Sequence, residues 1–406
     1  MEELEKKYTP LLVIEEASRC LLCHDAPCSK ACPANTDPAR FIRAVRFRNF
    51  KGAAEIVREN NALGAICARV CPTEKLCQSA CSRCGLDKPI EIGKIQEYIT
   101  DFEASLNMEI LHVTGNNQGR IAIVGSGPAG LEAAATLRIS GYDVDVYEKR
   151  KKVGGWLAYG IPEYRLPKEV LETEIERITK LGVKFITNHN VDSNSFARIR
   201  HDYDAVLLAT GLSEGRNLDM FENNPNVVLA VDFLAKCRQD NLEVDKEGTH
   251  LIIGGGDVAM DVATSLKLKG AKNVICVARE TAEEFLASKH ELENAHKLDV
   301  SILDGYTPTK VDGDMVEFSH MKVNSTLAIK ASHIYMAVGQ KTNLEGLDVK
   351  SERGIIITNN YQTSIPGVFA CGDATLGDKL VVYAVKQGKE AAHAIEQYLK
   401  GGKKNA

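Results

Sequence analysis

No run of about 18 apolar residues occurs anywhere in the 406-residue chain, so a membrane-spanning helix is not expected. Charge of one sign is also missing: 50 Lys and Arg stand against 55 Asp and Glu, a formal net charge of -5. Nucleic-acid binding, which wants a basic patch, finds no support in that balance. The first residues, Met1 to Tyr8, are charged and carry no apolar core behind a basic start, so no signal peptide is expected. The expectation is a cytoplasmic protein, in which disulfides are rare and clustered cysteines more often hold metals. What remains is a globular composition, 44% apolar and 26% charged, at a length that suggests two or three domains.

Nine of the 12 cysteines fall between Cys20 and Cys84. Their spacing is Cys20-x2-Cys23-x4-Cys28-x3-Cys32-Pro33, then Cys67-x3-Cys71-Pro72, then Cys77-x3-Cys81-x2-Cys84. A single Cys-x2-Cys is shared by zinc ribbons and redox motifs. Two repeated features point instead to iron-sulfur clusters: the Cys-Pro ending used by bacterial ferredoxins, and enough thiols for two four-ligand clusters. Zinc, which also accepts thiolates, is the alternative metal. On spacing alone, Cys67 or Cys84 would serve as eighth ligand. His24 reads as a loop residue near the site. Between the groups, Asp37-Pro38 should cap an amphipathic helix. The arginines Arg40, Arg43, Arg46 and Arg48 with Lys51 could offset cluster charge or dock a partner.

After a polar linker, Gly115 to Gly119, the apolar run Arg120 to Val124 opens into Gly125-Ser126-Gly127-Pro128-Ala129-Gly130 and an Ala/Leu-rich helix. Placed between strand and helix, this is a dinucleotide fingerprint. Gly125 permits the turn, Gly127 lets a pyrophosphate approach the backbone, and Gly130 lets helix and strand pack closely. The next strand, Asp143 to Tyr147, ends at Glu148, the acid expected on a ribose hydroxyl. The pattern repeats at His250 to Ile253, followed by Gly254-Gly255-Gly256-Asp257-Val258-Ala259, and at Asn273 to Ala278, followed by Arg279-Glu280. Arg279 is ambiguous, but Glu280 would repel a 2'-phosphate, so NADH is expected over NADPH. A third buried strand is expected at His333 to Gly339 and a last helix from about Val381 to Leu399, with Gly401 to Ala406 a disordered end. Cys276 and Cys371 read as core thiols.

These motifs carry a resemblance. Arg19-Cys20-Leu21-Leu22-Cys23 through Cys32-Pro33, Val70-Cys71-Pro72-Thr73, Leu76-Cys77 and Cys81 resemble the N-terminal cluster domain of dihydropyrimidine dehydrogenases. Essentially the whole chain is similar to the electron-input subunits of the bacterial NAD-dependent enzymes, the PreT type. The resemblance implies two [4Fe-4S] clusters, one held by Cys20, Cys23, Cys28 and Cys81, the other by Cys32, Cys71, Cys77 and Gln96, with Cys67 and Cys84 left unligated. Without it, Gln96 reads as a surface residue on a helix from Ile92 to Phe102. Gly154-Gly155, Thr210-Gly211 and Gly372-Asp373 likewise resemble FAD sites of flavoproteins with two dinucleotide folds, which implies that Asp373 meets the ribityl-phosphate region and that Val381 and Val382 lie beside the flavin. Tyr159-Gly160-Ile161-Pro162 with Arg165-Leu166-Pro167 also resembles this family and the related small subunit of glutamate synthase.

The expected fold is α/β: a helical iron-sulfur domain (1–115), a FAD-binding domain in two parts (116–212 and 339–406), and an NAD-binding domain (213–338) inserted between them. The expected cofactors are FAD, two [4Fe-4S] clusters and NADH. No acid-base pair stands out, as suits hydride chemistry that belongs to the cofactors, and no residues remain for an organic substrate domain. The resemblance therefore implies a hetero-oligomer with an FMN-containing catalytic subunit that interconverts uracil or thymine and the 5,6-dihydro form. The alternatives are a glutamate synthase small subunit or related reductase and, from another class, a zinc-structured interaction protein.

Overall fold

A computed structural model describes residues 7–116, 118–239 and 242–402. They form two compact units, one of Met1–Ala158, Tyr164–Gly211 and Thr342–Ala406, the other of Tyr159–Glu163 and Leu212–Lys341.

The first unit begins with short helices: α1 (Pro10–Ser18), α2 (Pro38–Arg46), α3 (Phe50–Arg58), α4 (Gly64–Val70) and α5 (Ile92–Ser105). Asp37 starts α2 as expected, its carboxylate accepting from Arg40 N at 3.2 Å while Pro38 fills the first turn. The helical period of Phe41, Ile42 and Val45 buries one face of α2 against Val57 of α3 and Ile92, Ile95 and Ile99 of α5. Cys67 lies on α4 and Cys28 on the one-turn helix Pro27–Lys30; the other cysteines of this part lie on the loops and short turns around the core.

The rest of the unit is a parallel sheet. Strands β1 (Arg120–Val124), β2 (Asp143–Tyr147), β3 (Lys184–Ile186) and β4 (Ala205–Leu208) lie in the order β4-β1-β2-β3, with Val368–Ala370 beyond β4. Strand β1 is buried except at Arg120, the mark of a central parallel strand covered on both faces. Helix α6 (Pro128–Ile139) follows β1, and α7 (Lys168–Lys180) precedes β3. The C-terminal helix Val381–Gly402 packs closely on α6, since a Cβ on Gly388 would stand 2.3 Å from the Ala129 carbonyl oxygen. That helix runs past the expected Leu399 to Gly402, so Gly401 and Gly402 are helical; residues 403–406 and Met1 to Lys6 lie outside the described residues.

The second unit repeats the architecture with β5 (Val227–Leu229), β6 (Thr249–Ile253), β7 (Asn273–Val277) and β8 (Ser301–Leu303), and α8 (Asp257–Leu268) after β6. The expected third strand, His333–Met336, sits between β5 and β6 in the same parallel sheet. An antiparallel sheet of Tyr306–Asp312, Met315–His320 and Thr326–Lys330 adds Val316 and Phe318 to this unit's core. Among the described residues, no helix is long and apolar enough to cross a membrane.

Candidate cofactor sites

Two hollows in the helical part collect the cysteines. The first, about 370 Å³, is lined by Cys20, Cys23, Cys28 and Cys81, with Ile42 of α2 and Ile92 of α5 behind them. The second, about 410 Å³, is lined by Cys32, Cys67, Cys71 and Cys77, together with Gln96. Thiols from positions 20 and 81, or 32 and 77, share a hollow because the loops that carry them fold back on α2 and α5. The spacing could not reveal this pairing.

Gln96 is 8% exposed, on α5. Its Nε2 donates to the Gly64 carbonyl at 2.8 Å, which leaves the amide oxygen, the atom a metal would use, free of that bond. The reading of Gln96 as a surface residue is therefore corrected by burial. Cys84 is exposed and lines neither hollow, its thiol directed at the Gln78 carbonyl at 3.4 Å, so of Cys67 and Cys84 only Cys67 lines a hollow. His24 is exposed and lines neither.

At Cys20, Cys28, Cys32, Cys71 and Cys77 the surroundings favour the protonated thiol. Burial pushes Cys28 up to about 11 and Cys77 up to about 12. It also raises Cys20 and Cys32, while Cys71 is raised by a hydrogen bond with Cys67 and by burial. Metal loading must then displace protons. Among the described residues, no three His, Cys, Asp or Glu side chains stand close enough to hold a single metal ion. Of the basic residues on this part, Arg40 pairs with Glu59 at 2.5 Å and Lys51 with Glu55 at 3.7 Å, whereas Arg43 and Arg48 are exposed.

The first glycine loop leaves β1 as the mechanism of a dinucleotide site requires. Gly125 has φ +107°, and a Cβ there would lie 2.3 Å from the Ala209 carbonyl oxygen. On Gly130 it would lie 2.1 Å from the Gly125 carbonyl oxygen, so helix and strand close on each other. On Gly127 it would meet nothing within 4 Å. That open space at the N-terminus of α6, where Pro128 and Ala129 begin the helix, fits an incoming pyrophosphate. Gly155, with φ +52°, comes within 2.8 Å of Gly127 Cα by the same measure. Glu148 is buried at the end of β2; it accepts from Ser126 N at 3.2 Å, Ser126 Oγ at 2.5 Å and Arg150 N at 2.8 Å. Gly372, with φ +72°, donates its N–H to Gln387 Oε1 at 2.7 Å and sets Asp373 beside the same helix, where burial pushes the Asp373 carboxyl up to about 6. The residues present thus fit a flavin dinucleotide. Gln387 carries no motif that would have singled it out, and Ser126 stands in the fingerprint only at a position the motif leaves open.

The second loop follows the same rules. A Cβ on Gly254, φ +142°, would stand 2.4 Å from the Ala337 carbonyl oxygen, while Gly256 has nothing within 4 Å. Ala259 is fully buried where the first loop has Gly130, and Asp257 begins α8 and accepts from Ser288 N at 2.7 Å. Val258 is half-buried in the first turn. Arg279 extends into solvent and bonds Glu280 at 3.2 Å. The Glu280 carboxylate faces the loop, 3.0 Å from a Cβ built on Gly255.

With this geometry established, comparison with known proteins assigns both halves. Residues 1–108 match the family described as dihydropyrimidine dehydrogenase domain II, 4Fe-4S cluster, and residues 119–388 match pyridine nucleotide-disulphide oxidoreductase. The NAD-dependent dihydropyrimidine dehydrogenase subunit PreT of Escherichia coli K12 is 53% identical over 99% of this chain and 98% of its own. The glutamate synthase [NADPH] small chain of the same organism is 30% identical over 95% and 91%. Among solved structures, FprA of Mycobacterium tuberculosis in complex with NADPH aligns with a TM-score of 0.62 at 17% identity, covering 71% of this chain and 86% of that one, which supports the fold alone.

Proposed function

The chain belongs to the PreT family of NAD-dependent dihydropyrimidine dehydrogenase subunits, and from that premise we propose that it is the electron-input subunit of such an enzyme. In this reading Gly254, Gly256 and Glu280 hold NADH, and Gly125, Gly127, Gly130, Glu148, Gly155 and Asp373 hold FAD. Cys20, Cys23, Cys28 and Cys81 hold one [4Fe-4S] cluster, and Cys32, Cys71, Cys77 and Gln96 the other. The domains divide at 115, 212 and 338. When bound, FAD and the clusters supply the electron transfer, and the residues of the chain supply binding, orientation and tuning. The partner is an FMN-containing catalytic subunit acting on uracil or thymine, a reading supported by the subunit names of the relatives.

The observation that carries this reading is the partition of the cysteines into two hollows of four thiols each, the second bordered also by Val382 of the helix that packs on the dinucleotide-binding α6. It supports two clusters rather than one and a route from the flavin side into the second. Anaerobically purified protein should show flavin bands with an iron-sulfur shoulder and about eight iron atoms per chain. Alone it should oxidise NADH with artificial dyes and leave uracil unreduced; uracil reduction by this chain alone would overturn the two-subunit assignment. Gln96→Ala should lose iron from one cluster, whereas Cys84→Ser should lose none. Full iron content in Gln96→Ala would pass the eighth position to Cys67.

Glu280 sets the coenzyme preference. A 2'-phosphate brought beside it would meet a carboxylate at close range, so kcat/KM should favour NADH over NADPH by at least about tenfold, the equivalent of about 1.4 kcal/mol. Glu280→Gln should narrow that ratio mainly by improving NADPH. A wild-type preference for NADPH would refute the assignment.

A further inference from the structure

A buried acid and a half-buried lysine beside the second hollow have no part in the reading above. Glu132 of α6 is 3% exposed, and its carboxylate accepts from Ala62 N at 3.0 Å. Lys389 of the C-terminal helix donates to the carbonyls of Ala34 and Asn60 at 2.7 and 2.8 Å. Ala34 lies just past Cys32-Pro33, and Asn60 just before Asn61, which lines the hollow. Val382, about two helical turns before Lys389, lines it as well. A cation and an acid from two packed helices therefore flank one side of the site.

Neither charge is neutralised in the usual way. Among the described residues, no ion pair within 4 Å joins them or engages either with another group. A buried charge without a close partner is costly, and proteins keep few of them. The charged groups facing Glu132 are Lys389 and Arg58, and Arg58 is already held between Glu103 and Glu174. Those facing Lys389 are Glu132, Cys32 and Glu390, the last bonded to the Tyr361 hydroxyl. Burial pushes the Glu132 carboxyl up to about 7, against the pull of Lys389.

We infer that Glu132 and Lys389 compensate charge at the second hollow, Glu132 binding a proton when an electron enters the group held there and Lys389 supplying a fixed positive charge that favours that entry. The inference rests on the proposed cluster at Cys32, Cys71 and Cys77. The step balances: one electron arrives from NADH by way of the flavin, one proton arrives from water and binds the Glu132 carboxylate, no bond other than that O–H forms, and the net charge of the site is unchanged. Glu132 and Lys389 are positioning residues; neither touches a substrate.

The test is an anaerobic potentiometric titration of the loaded protein, followed by EPR, between about pH 6 and pH 8. Of two iron-sulfur couples, one should fall in potential as pH rises through neutrality, with a slope approaching about 59 mV per pH unit, the one-electron equivalent of a tenfold change in proton activity. The other should stay flat and serve as the internal control. Glu132→Gln should hold the sensitive couple at its acid-side value and abolish the slope. Lys389→Met should lower that couple at every pH, and Lys389→Arg should restore it. Two flat couples in the wild type, or a slope that survives in Glu132→Gln, would overturn the inference while leaving the two-cluster reading intact. Iron sufficient for only one cluster would overturn both. Should Glu132→Gln fail to fold, the wild-type slope and the two lysine variants still decide.

Discussion

Replacing Arg58 with methionine is expected to cost about 3–5 kcal/mol of stability, the range for breaking a buried ion pair on one side. The guanidinium of Arg58 is 4% exposed by residue. It bonds Glu103 through Nε at 3.1 and 3.0 Å and through Nη2 at 2.7 Å. It also bonds Glu174 through Nη1 at 2.8 Å and Nη2 at 2.7 Å, and the Ala62 carbonyl through Nη1 at 2.6 Å. Burial by itself would drive this group toward neutrality, yet the two carboxylates keep it charged beyond the usual arginine range. Arg177 completes the set with a 2.7 Å bond to Glu103. Two arginines thus balance two glutamates, and Arg58 on α3 and Glu103 on α5 tie these two helices to Glu174 and Arg177 on α7.

Methionine fills the volume of arginine but leaves both carboxylates buried with one cation between them. Arg58→Lys should recover little, because an ammonium cannot reproduce the forked geometry that serves two carboxylates at once. Replacing all four residues together, Arg58→Met with Glu103, Glu174 and Arg177→Leu, should return most of the loss, since a buried ionic set is often matched by apolar residues of similar volume. Denaturant midpoints with matching slopes decide this. A single Arg58→Met variant within about 1 kcal/mol of the wild type would remove the network from any account of how this unit holds together.

This network marks the limit of what the sequence discloses. The glycine loops were legible because their constraint is local: Gly125 must take a positive φ and Gly130 must lack a side chain whatever the rest of the chain does. Asp37 and Pro38 were legible for the same reason. The number of thiols suggested two clusters, but the grouping of Cys20 with Cys81 and of Cys32 with Cys77 depends on how loops cross α2 and α5. Gln96 was found only through resemblance; its burial depends on Gly64, 32 residues away. Arg58 and Glu174 are 116 positions apart and Lys389 and Ala34 are 355 apart, with no periodicity to connect them. The antiparallel sheet of residues 306–330 was likewise unforeseen, because its alternation is short and interrupted by Pro308 at a register shift.

Gly127→Ala and Gly130→Ala should fail in different ways, and the difference tests the flavin site directly. At Gly127 the backbone is extended, φ -68° and ψ -178°, which alanine adopts without strain, and its Cβ would meet no protein atom within 4 Å. The folded chain therefore accepts the methyl group, and stability without flavin should stay within about 0.5 kcal/mol of the wild type. The methyl would stand in the open space at the start of α6, where a pyrophosphate must reach the backbone amides. FAD affinity should fall by at least about a hundredfold, roughly 2.7 kcal/mol, and NADH-dependent dye reduction should fall with flavin occupancy and return in part with excess FAD. At Gly130 the added Cβ would stand 2.1 Å from the Gly125 carbonyl oxygen, so strand and helix must separate before any ligand arrives. That variant should be destabilised without flavin by about 1–3 kcal/mol, the usual cost of overpacking. Equal flavin affinity in Gly127→Ala and the wild type would mean that the dinucleotide does not approach over Gly127, and the FAD assignment of this loop would fall.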